Sequence, residues 1–412
     1  MKILFVSGTL PPEGSATAGI IGNLMIEMKN RGEDVSGLTF KNHISDANES
    51  YWNGIDIYHA EYVREYNFKS NTLSDILFKA KRKIFDLVHK SQMRPYRELA
   101  VTALEEKLLG MDADNIYDVI IAIAAFYDAV EAVRRYKKRI NRQVKAKYAL
   151  YQVDPLQENH AFNDVDSVWL ETYEKELYFQ SDCIFTTRII YEMKERKKWP
   201  MDNVTAVDFP CVDISLSTRL STIKKSNNEI RCIYAGLLNE QIRDATAVLE
   251  ILSHIRNPHI SFYFIGTGQE ELLHKYSDGV LKGRLHIMGS MPATECEDWL
   301  LSADILIIIG NNVINQVPSK VFSYMSYGLP IVATCKSAEC PERKYLTEIP
   351  NALIIDESVQ ESDVEYLSNL IEGFIIKYSG TRLTSKQIER YADSYTPEHV
   401  VSAFISELSK HR

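Results

Sequence analysis

The sequence predicts an α/β protein made of two doubly wound domains, each a parallel sheet with helices on both faces. Three observations carry that expectation. The chain has 412 residues, too many for one ordinary core and suited to two domains of about 200 residues each. Short apolar runs alternate with amphipathic stretches along its length, as β-α-β units require. Each half also opens the same way, with a buried-type strand followed by a glycine loop. In the first half KILFV (Lys2–Val6) precedes SGTLPPEGSATAG, and in the second RCIY (Arg231–Tyr234) precedes AGLLNEQIRDA.

In the first half the remaining clear strands are Val119–Ala124, Tyr148–Gln152 and Cys183–Thr186. The stretch from Ser215 to Asn228 is rich in Ser, Thr, Lys and Asn and has little apolar periodicity, which reads as a linker. The expected organisation is therefore a first domain over 1–214, a linker over 215–228, a second domain over 229–392, and a C-terminal segment over 393–412. After Arg231–Tyr234 the second domain continues with strands at Ser261–Ile265, Leu285–Met288, Ile305–Ile309, Ile331–Ala333 and Ala352–Ile355. ILIII at Ile305–Ile309 is apolar throughout, as a strand buried on both faces should be. A loop and a helix follow it in NQVPSKVFSYMSYGLPIVA (Asn315–Ala333). Pro318 suits a helix start. Val321, Phe322 and Met325 give helical spacing and Gly328 a stop. The last helix, Pro397–Lys410, carries Val400, Val401, Phe404, Ile405 and Leu408 on one face.

Composition narrows the function. A formal net charge of −9 argues against general nucleic-acid binding, which needs a basic footprint. The six cysteines, Cys183, Cys211, Cys232, Cys296, Cys335 and Cys340, include no CxxC pair and stand near no His cluster. Reduced thiols are expected, with neither a zinc site nor a disulfide framework. The N-terminal apolar run is too short for a signal peptide, and no stretch approaches the roughly 18 apolar residues of a membrane span. A cytoplasmic protein is expected, at most attached to a membrane surface. Two basic stretches stand against the overall charge. One flanks an apolar stripe of Leu73, Leu77, Ala80, Ile84 and Val88; the other is RRYKKRINRQVKAK (Arg134–Lys147). Either an ordinary solvated helix face or attraction to anionic lipid accounts for such runs.

Ligands of open α/β sheets bind outside the carboxyl ends of the strands. Ser319 and Lys320 open a helix at such a strand end, where free N–H groups and a full charge attract anions. PSKVFSYMSYGLPIVA resembles the donor-site segment of GT-B-fold glycosyltransferases of the group 1 type, which build bacterial surface polysaccharides. Other segments agree in order: the MKILFVSGTLPPEGSATAG opening, VDFPCVD, FIGTGQEE and HIMGSMPATECEDWLLSADILI. The resemblance implies two Rossmann-like domains and a C-terminal helix crossing back onto the first. It also implies a nucleotide diphosphate sugar as co-substrate, with uridine or guanosine as base, and no metal.

On this reading the second domain holds the donor. Gly236 allows close backbone approach, and Arg243 stands near to hold a phosphate oxygen or as a solvated residue beside Asp244. Gly266 and Gly268 form a turn, and Gly289, Ser290 and Met291 match a loop that contacts the base. Pro318, Ser319 and Lys320 would hold the diphosphate. Many retaining relatives carry two glutamates, one toward the sugar and one on the ribose; here those positions hold Asn315 and Ser323. These hydrogen-bond without charge, which leaves the donor sugar and the stereochemical course open. In the first domain Gly14, Ser15 and Ala16 form a small-residue loop suited to a phosphate or acceptor. Glu13, Asp154 and His160 are the polar candidates. Asp154 is either the base that takes the acceptor proton or a turn former with Pro155. The expected function is transfer of a sugar to a saccharide or lipid-linked acceptor, with a non-catalytic GT-B subunit and a sugar-nucleotide epimerase as alternatives.

Overall fold

A computed structural model describes residues 1–43, 45–63, 94–140, 144–157, 159, 162, 164–226, 228–312, 316–357 and 363–410. The stripe from Leu73 to Val88, His160 and Asn315 lie outside the described residues. The chain divides into two compact units, one of 1–208 with 400–412 and one of 209–399. No helix among the described residues is long and apolar enough to cross a membrane.

The sheet of the first unit is formed by β1 (Lys2–Val6), β2 (Asp34–Lys41), β3 (Glu49–Trp52), β4 (Ile55–Val63), β5 (Val119–Ile123), β6 (Lys147–Gln152), β7 (Cys183–Thr186) and β8 (Val204–Ala206). Their order is β3-β4-β2-β1-β5-β6-β7-β8. All neighbours are parallel except β3 and β4. That hairpin is absent from the sequence reading, although its signal is present. Asn53 and Gly54 sit between the paired Trp52 and Ile55 with φ of 47° and 78°, as a two-residue turn with two left-handed positions demands.

The helix Pro397–Ser409 crosses back, and from Val400 onward it belongs to the first unit. Phe404 stacks on Phe185 at 3.7 Å between ring centroids and meets Tyr151 edge-on at 5.2 Å. Lys147 Nζ donates to the Leu408 carbonyl at 2.7 Å, satisfying a helix-end acceptor.

The second sheet contains β9 (Ile230–Ala235), β10 (Ile260–Ile265), β11 (Leu285–Gly289), β12 (Ile305–Ile309), β13 (Ile331–Cys335) and β14 (Ala352–Asp356). They run parallel in the order β11-β10-β9-β12-β13-β14. This is a doubly wound sheet whose connections reverse direction between β9 and β12, which opens a crevice at their carboxyl ends. The stretch 215–228, read from sequence as a linker, is bound to this unit. Ser221 Oγ donates to the Asp298 carbonyl at 2.8 Å, Thr222 N to the Asp298 carboxylate at 2.9 Å, and Lys225 pairs with Asp304. Its polar residues satisfy acids of the second unit, so low apolar periodicity there marks a surface strap.

Candidate active site

The crevice between β9 and β12 is built from three loops. After β9 the chain turns at Gly236 and folds back through Asn239 and Arg243, whose backbones bond to each other at 2.6 and 3.0 Å. After β12 come Gly310, Asn311 and Asn312, and the Asn312 N–H donates to the Ile242 carbonyl at 2.7 Å. Two side-chain bonds from Arg243 to Asn311 Oδ1, at 3.1 and 2.7 Å, tie the loops further. The third element is the loop that enters the helix Lys320–Met325. That helix's six residues give only a weak dipole, so the positive charge of the crevice comes chiefly from side chains.

Lys320 lies directly over Gly236. A Cβ at Gly236 would stand 2.6 Å from Lys320 Cε and 2.7 Å from Nζ. Only a residue without a side chain leaves this lysine its place. Burial, with the Arg243 charge added, pushes Lys320 down to about 8, because desolvation and a like charge both disfavour the ammonium. No carboxylate among the described residues forms a salt bridge with Lys320 or Arg243. The Arg243 guanidinium donates to neutral acceptors, Asn311 Oδ1 and, at 3.4 Å, the Leu237 carbonyl. Two cations thus converge where the sheet reverses, which makes the local potential positive.

The other positions singled out from the sequence divide into two kinds. Ser319 and Ser323 flank Lys320 on the same short helix. Ser323 Oγ bonds weakly to the Lys320 carbonyl at 3.4 Å, and Ser319 makes no side-chain cap bond. Pro318 is buried at the helix entrance. Gly266 and Gly268 brace the turn at Gly236: a Cβ on Gly266 would lie 2.1 Å from the Gly236 carbonyl oxygen, and one on Gly268 1.9 Å from that of Leu238. Gly289 ends β11 and accepts the Gly266 N–H at 2.8 Å. Ser290 is exposed and Met291 half-buried beside it.

Sequence reasoning missed Glu342. It is fully buried, and neither carboxylate oxygen has a hydrogen-bond partner among the described residues. Burial, with Cys340 nearby, pushes it up to about 8, against smaller opposing pulls from the nearby Glu342 and Asn311 backbone N–H groups, which fall short of hydrogen-bond geometry, and from Arg243. Its Oε1 stands 2.6 Å from where a Gly310 side chain would begin, directly below the Arg243–Asn311 loop. Nothing in the primary structure distinguishes it from other helix-start glutamates.

In the first unit, Ser15 caps the helix Ala16–Asn30 by accepting the Ala18 N–H at 3.1 Å. Thr9 Oγ1 bridges Ser15 Oγ and Glu13, so the loop is fixed by its own side chains. Gly14 faces open space, with no atom within 4 Å of where a Cβ would stand. Beside this loop, at the carboxyl ends of β1 and β2, lies a cavity of about 540 Å³ lined by Glu13, Lys41, His43, Asp46 and His59 among others. Lys41 pairs with Glu61 at 2.8 Å. His59 is held between Ser50 Oγ at 2.8 Å and the Phe40 carbonyl at 3.1 Å. These histidines and Lys41 were not singled out from sequence; the second strand and the hairpin place them. Asp154 follows β6, half-buried, with its N–H toward the Ala124 carbonyl at 3.4 Å and the Tyr127 hydroxyl 3.5 Å from its own carbonyl.

A second cavity of about 560 Å³ lies between the helices Tyr127–Ile140 and Ser167–Gln180, away from the strand ends. It borders the basic run Arg134–Lys147. Among the described residues of that run, Arg134 pairs with Glu131, Arg135 with Glu98, Lys137 with Asp182 and Arg139 with Glu105, while Lys145 and Lys147 bond neutral oxygens of Asn115 and Leu408. Four of its charges are thus countered locally.

Residues 229–371 match the model of the family described as group 1 glycosyl transferases. No curated protein matches the chain in sequence. Among solved structures, sucrose-phosphate synthase from Thermosynechococcus elongatus superposes with a TM-score of 0.68 at 12% identity, covering 98% of this chain and 97% of that one. The apo lipopolysaccharide outer core galactosyltransferase WaaB gives 0.61 at 14% identity, covering 99% of each chain. A putative UDP-N-acetylglucosamine 2-epimerase from Listeria monocytogenes gives 0.59 at 9% identity, with 100% and 96% covered. At such identities the likeness establishes the fold; function must come from the site.

Proposed function

We propose, from the premise that this chain has the GT-B fold and carries a group 1 glycosyl transferase domain in its second unit, that it moves a sugar from a nucleotide diphosphate sugar to a saccharide acceptor. The observation that carries this reading is the Lys320–Arg243 pair over Gly236, two cations with no carboxylate partner among the described residues, at the reversal point of the sheet. A departing nucleoside diphosphate gains negative charge as its bond to the sugar breaks. Preorganised cations stabilise that charge more in the transition state than in the ground state. Lys320 is assigned to the leaving diphosphate, and Arg243, held by Asn311, to a neighbouring phosphate oxygen. Ser319 and Ser323 are assigned to phosphate or ribose hydrogen bonds, and Gly289, Ser290 and Met291 to the base. In this proposal the two cations supply the charge stabilisation, so transfer proceeds without a metal, and the base is uridine or guanosine.

The acceptor side is assigned to the first unit. Its cavity presents Glu13, His43 and His59, groups that hydrogen-bond sugar hydroxyls, and Asp154 is the leading base for an inverting course. A growing surface glycan, free or lipid-linked, is the acceptor class we propose, at the cytoplasmic face of the membrane. Four cations of the basic run are paired with carboxylates, which leaves the rest available for attraction to anionic lipid.

A thermal-shift panel of nucleoside diphosphates and nucleotide sugars tests the donor reading. A ligand at 100 times its dissociation constant adds about 2.7 kcal/mol of apparent stability. No shift with any nucleoside diphosphate would sink it. Product analysis separates the rivals: an epimerase turns over donor without acceptor and releases a sugar nucleotide, whereas a non-catalytic subunit binds without turnover.

A further inference from the structure

Three ligand-type side chains outside the donor crevice meet at the carboxyl end of β13. Cys335 is the last residue of the strand, Cys340 lies in the loop that follows, and Glu342 opens the helix Glu342–Leu346. Their Sγ and carboxylate oxygen atoms all lie within 4.8 Å of one another, and the three side chains are buried. Glu342 is fully buried and offers two oxygens with no hydrogen-bond partner among the described residues. A buried carboxylate left this way costs several kcal/mol unless something neutralises it. Cys340 Sγ receives the Ser337 N–H at 3.3 Å. Gly310 closes the opposite side, since a Cβ there would stand 2.6 Å from Glu342 Oε1.

We propose that Cys335, Cys340 and Glu342 form a binding site for a single divalent zinc-type cation beneath the donor loop. Two sulfurs and one carboxylate oxygen suit a tetrahedral ion of borderline softness, the fourth place going to water or the Ser337 hydroxyl. On binding, the Cys335 and Cys340 thiols release their protons, along with any proton on Glu342, to solvent. The ion then replaces those protons as the neutralising charge. Ligands from the strand end, the loop and the helix start are thereby tied together. The role is structural: Glu342 packs against Gly310, next to Asn311, so the site fixes the floor on which Arg243 rests.

The test uses the full chain, reduced and stripped with chelator, then titrated with Zn²⁺ against a chromophoric competitor. One tightly bound ion per chain is expected, with a raised melting temperature. Cys340→Ser and Cys335→Ser should abolish it, Glu342→Gln should weaken it by at least about tenfold, and Cys296→Ser should leave it unchanged. Should a core variant fail to fold, Co²⁺ loaded into the wild-type chain still decides. Thiolate-to-cobalt charge-transfer absorption is expected, and Co²⁺ bound without it would overturn the site. So would zinc binding that survives in Cys340→Ser, the absence of zinc binding in the reduced protein, or an intact mass showing a Cys335–Cys340 disulfide that persists under reductant. Nucleoside diphosphate binding read in parallel keeps this outcome separate from the donor assignment.

Discussion

Two lysines, Lys194 completely buried in the first unit and Lys320 half-buried in the second, show how the same charge can be paired in one place and left without an acid in another. Lys194 of the first unit is completely buried and paired: its ammonium lies 2.5 Å from Glu174 and 3.9 Å from the centroid of the Trp199 ring. Glu174 is satisfied again by Gln152 at 2.6 Å. Lys320 of the second unit has no such acid among the described residues. A stable fold does not require a lysine pushed against a glycine and an arginine, with its charge disfavoured. In the proposed function, a bound diphosphate offsets that cost. The paired lysine holds the sheet together, and the other is the one we assign to a ligand.

Breaking each lysine separates the two roles. Lys194→Ala should cost the most, about 3–5 kcal/mol of folding stability by chemical denaturation, because it strands Glu174 in the core. Wild-type-like unfolding of that variant would mean the pair is solvated. Asp154→Asn tests the other edge of the first unit. Turnover should fall by about 10²–10⁴-fold with donor affinity intact, and full turnover would make Asp154 a turn former. Lys320→Ala should behave in the opposite sense to Lys194→Ala. It should lose up to about 3 kcal/mol of transition-state stabilisation and weaken nucleoside diphosphate binding without loss of folding stability. A variant that binds and transfers normally removes Lys320 from the donor site.

A pH titration sharpens the contrast at smaller amplitude. Free Lys320 titrates near 8, and a bound diphosphate favours its charged form. Affinity should therefore be flat below that value and fall as pH rises above it, by up to about tenfold per unit. Lys320→Arg should move the inflection out of range, whereas an unchanged profile would assign the titration to another group. The smallest effect is expected at Arg134–Lys147. Since four of its cations are paired with carboxylates, sedimentation with anionic vesicles should exceed that with neutral ones only modestly and fall with salt, and equal partitioning to both would make the run a solvated face.

The second unit was more legible than the first, for a physical reason. Its strands are apolar on both faces and its helix starts and stops carry Pro318 and Gly328, signals that local sequence expresses directly. The positions proposed for the donor were readable from the topology, since strand ends and loops have fixed places in a doubly wound sheet. The β3–β4 hairpin was missed because a four-residue strand, mostly exposed, has little apolar pattern; only Asn53-Gly54 marks it. The stretch 215–228 looked like a linker because its attachments are polar. Glu342 and the cysteine pair escaped because only the fold brings them together and buries them. A spacing of four residues between Cys335 and Cys340 falls within zinc-ligand spacings, but no second Cys or His pair accompanies it in the sequence.

The returning C-terminal helix carries a consequence for how the protein is made. Residues 209–399 form a unit inserted into another whose last segment begins at Val400. On the ribosome, the first unit emerges without Phe404, so Phe185 and Tyr151 lack the ring that covers them. The second unit can fold while that surface still waits. The portion synthesised first is thus the portion completed last, and a premature stop near the end of the message would injure the beginning of the protein.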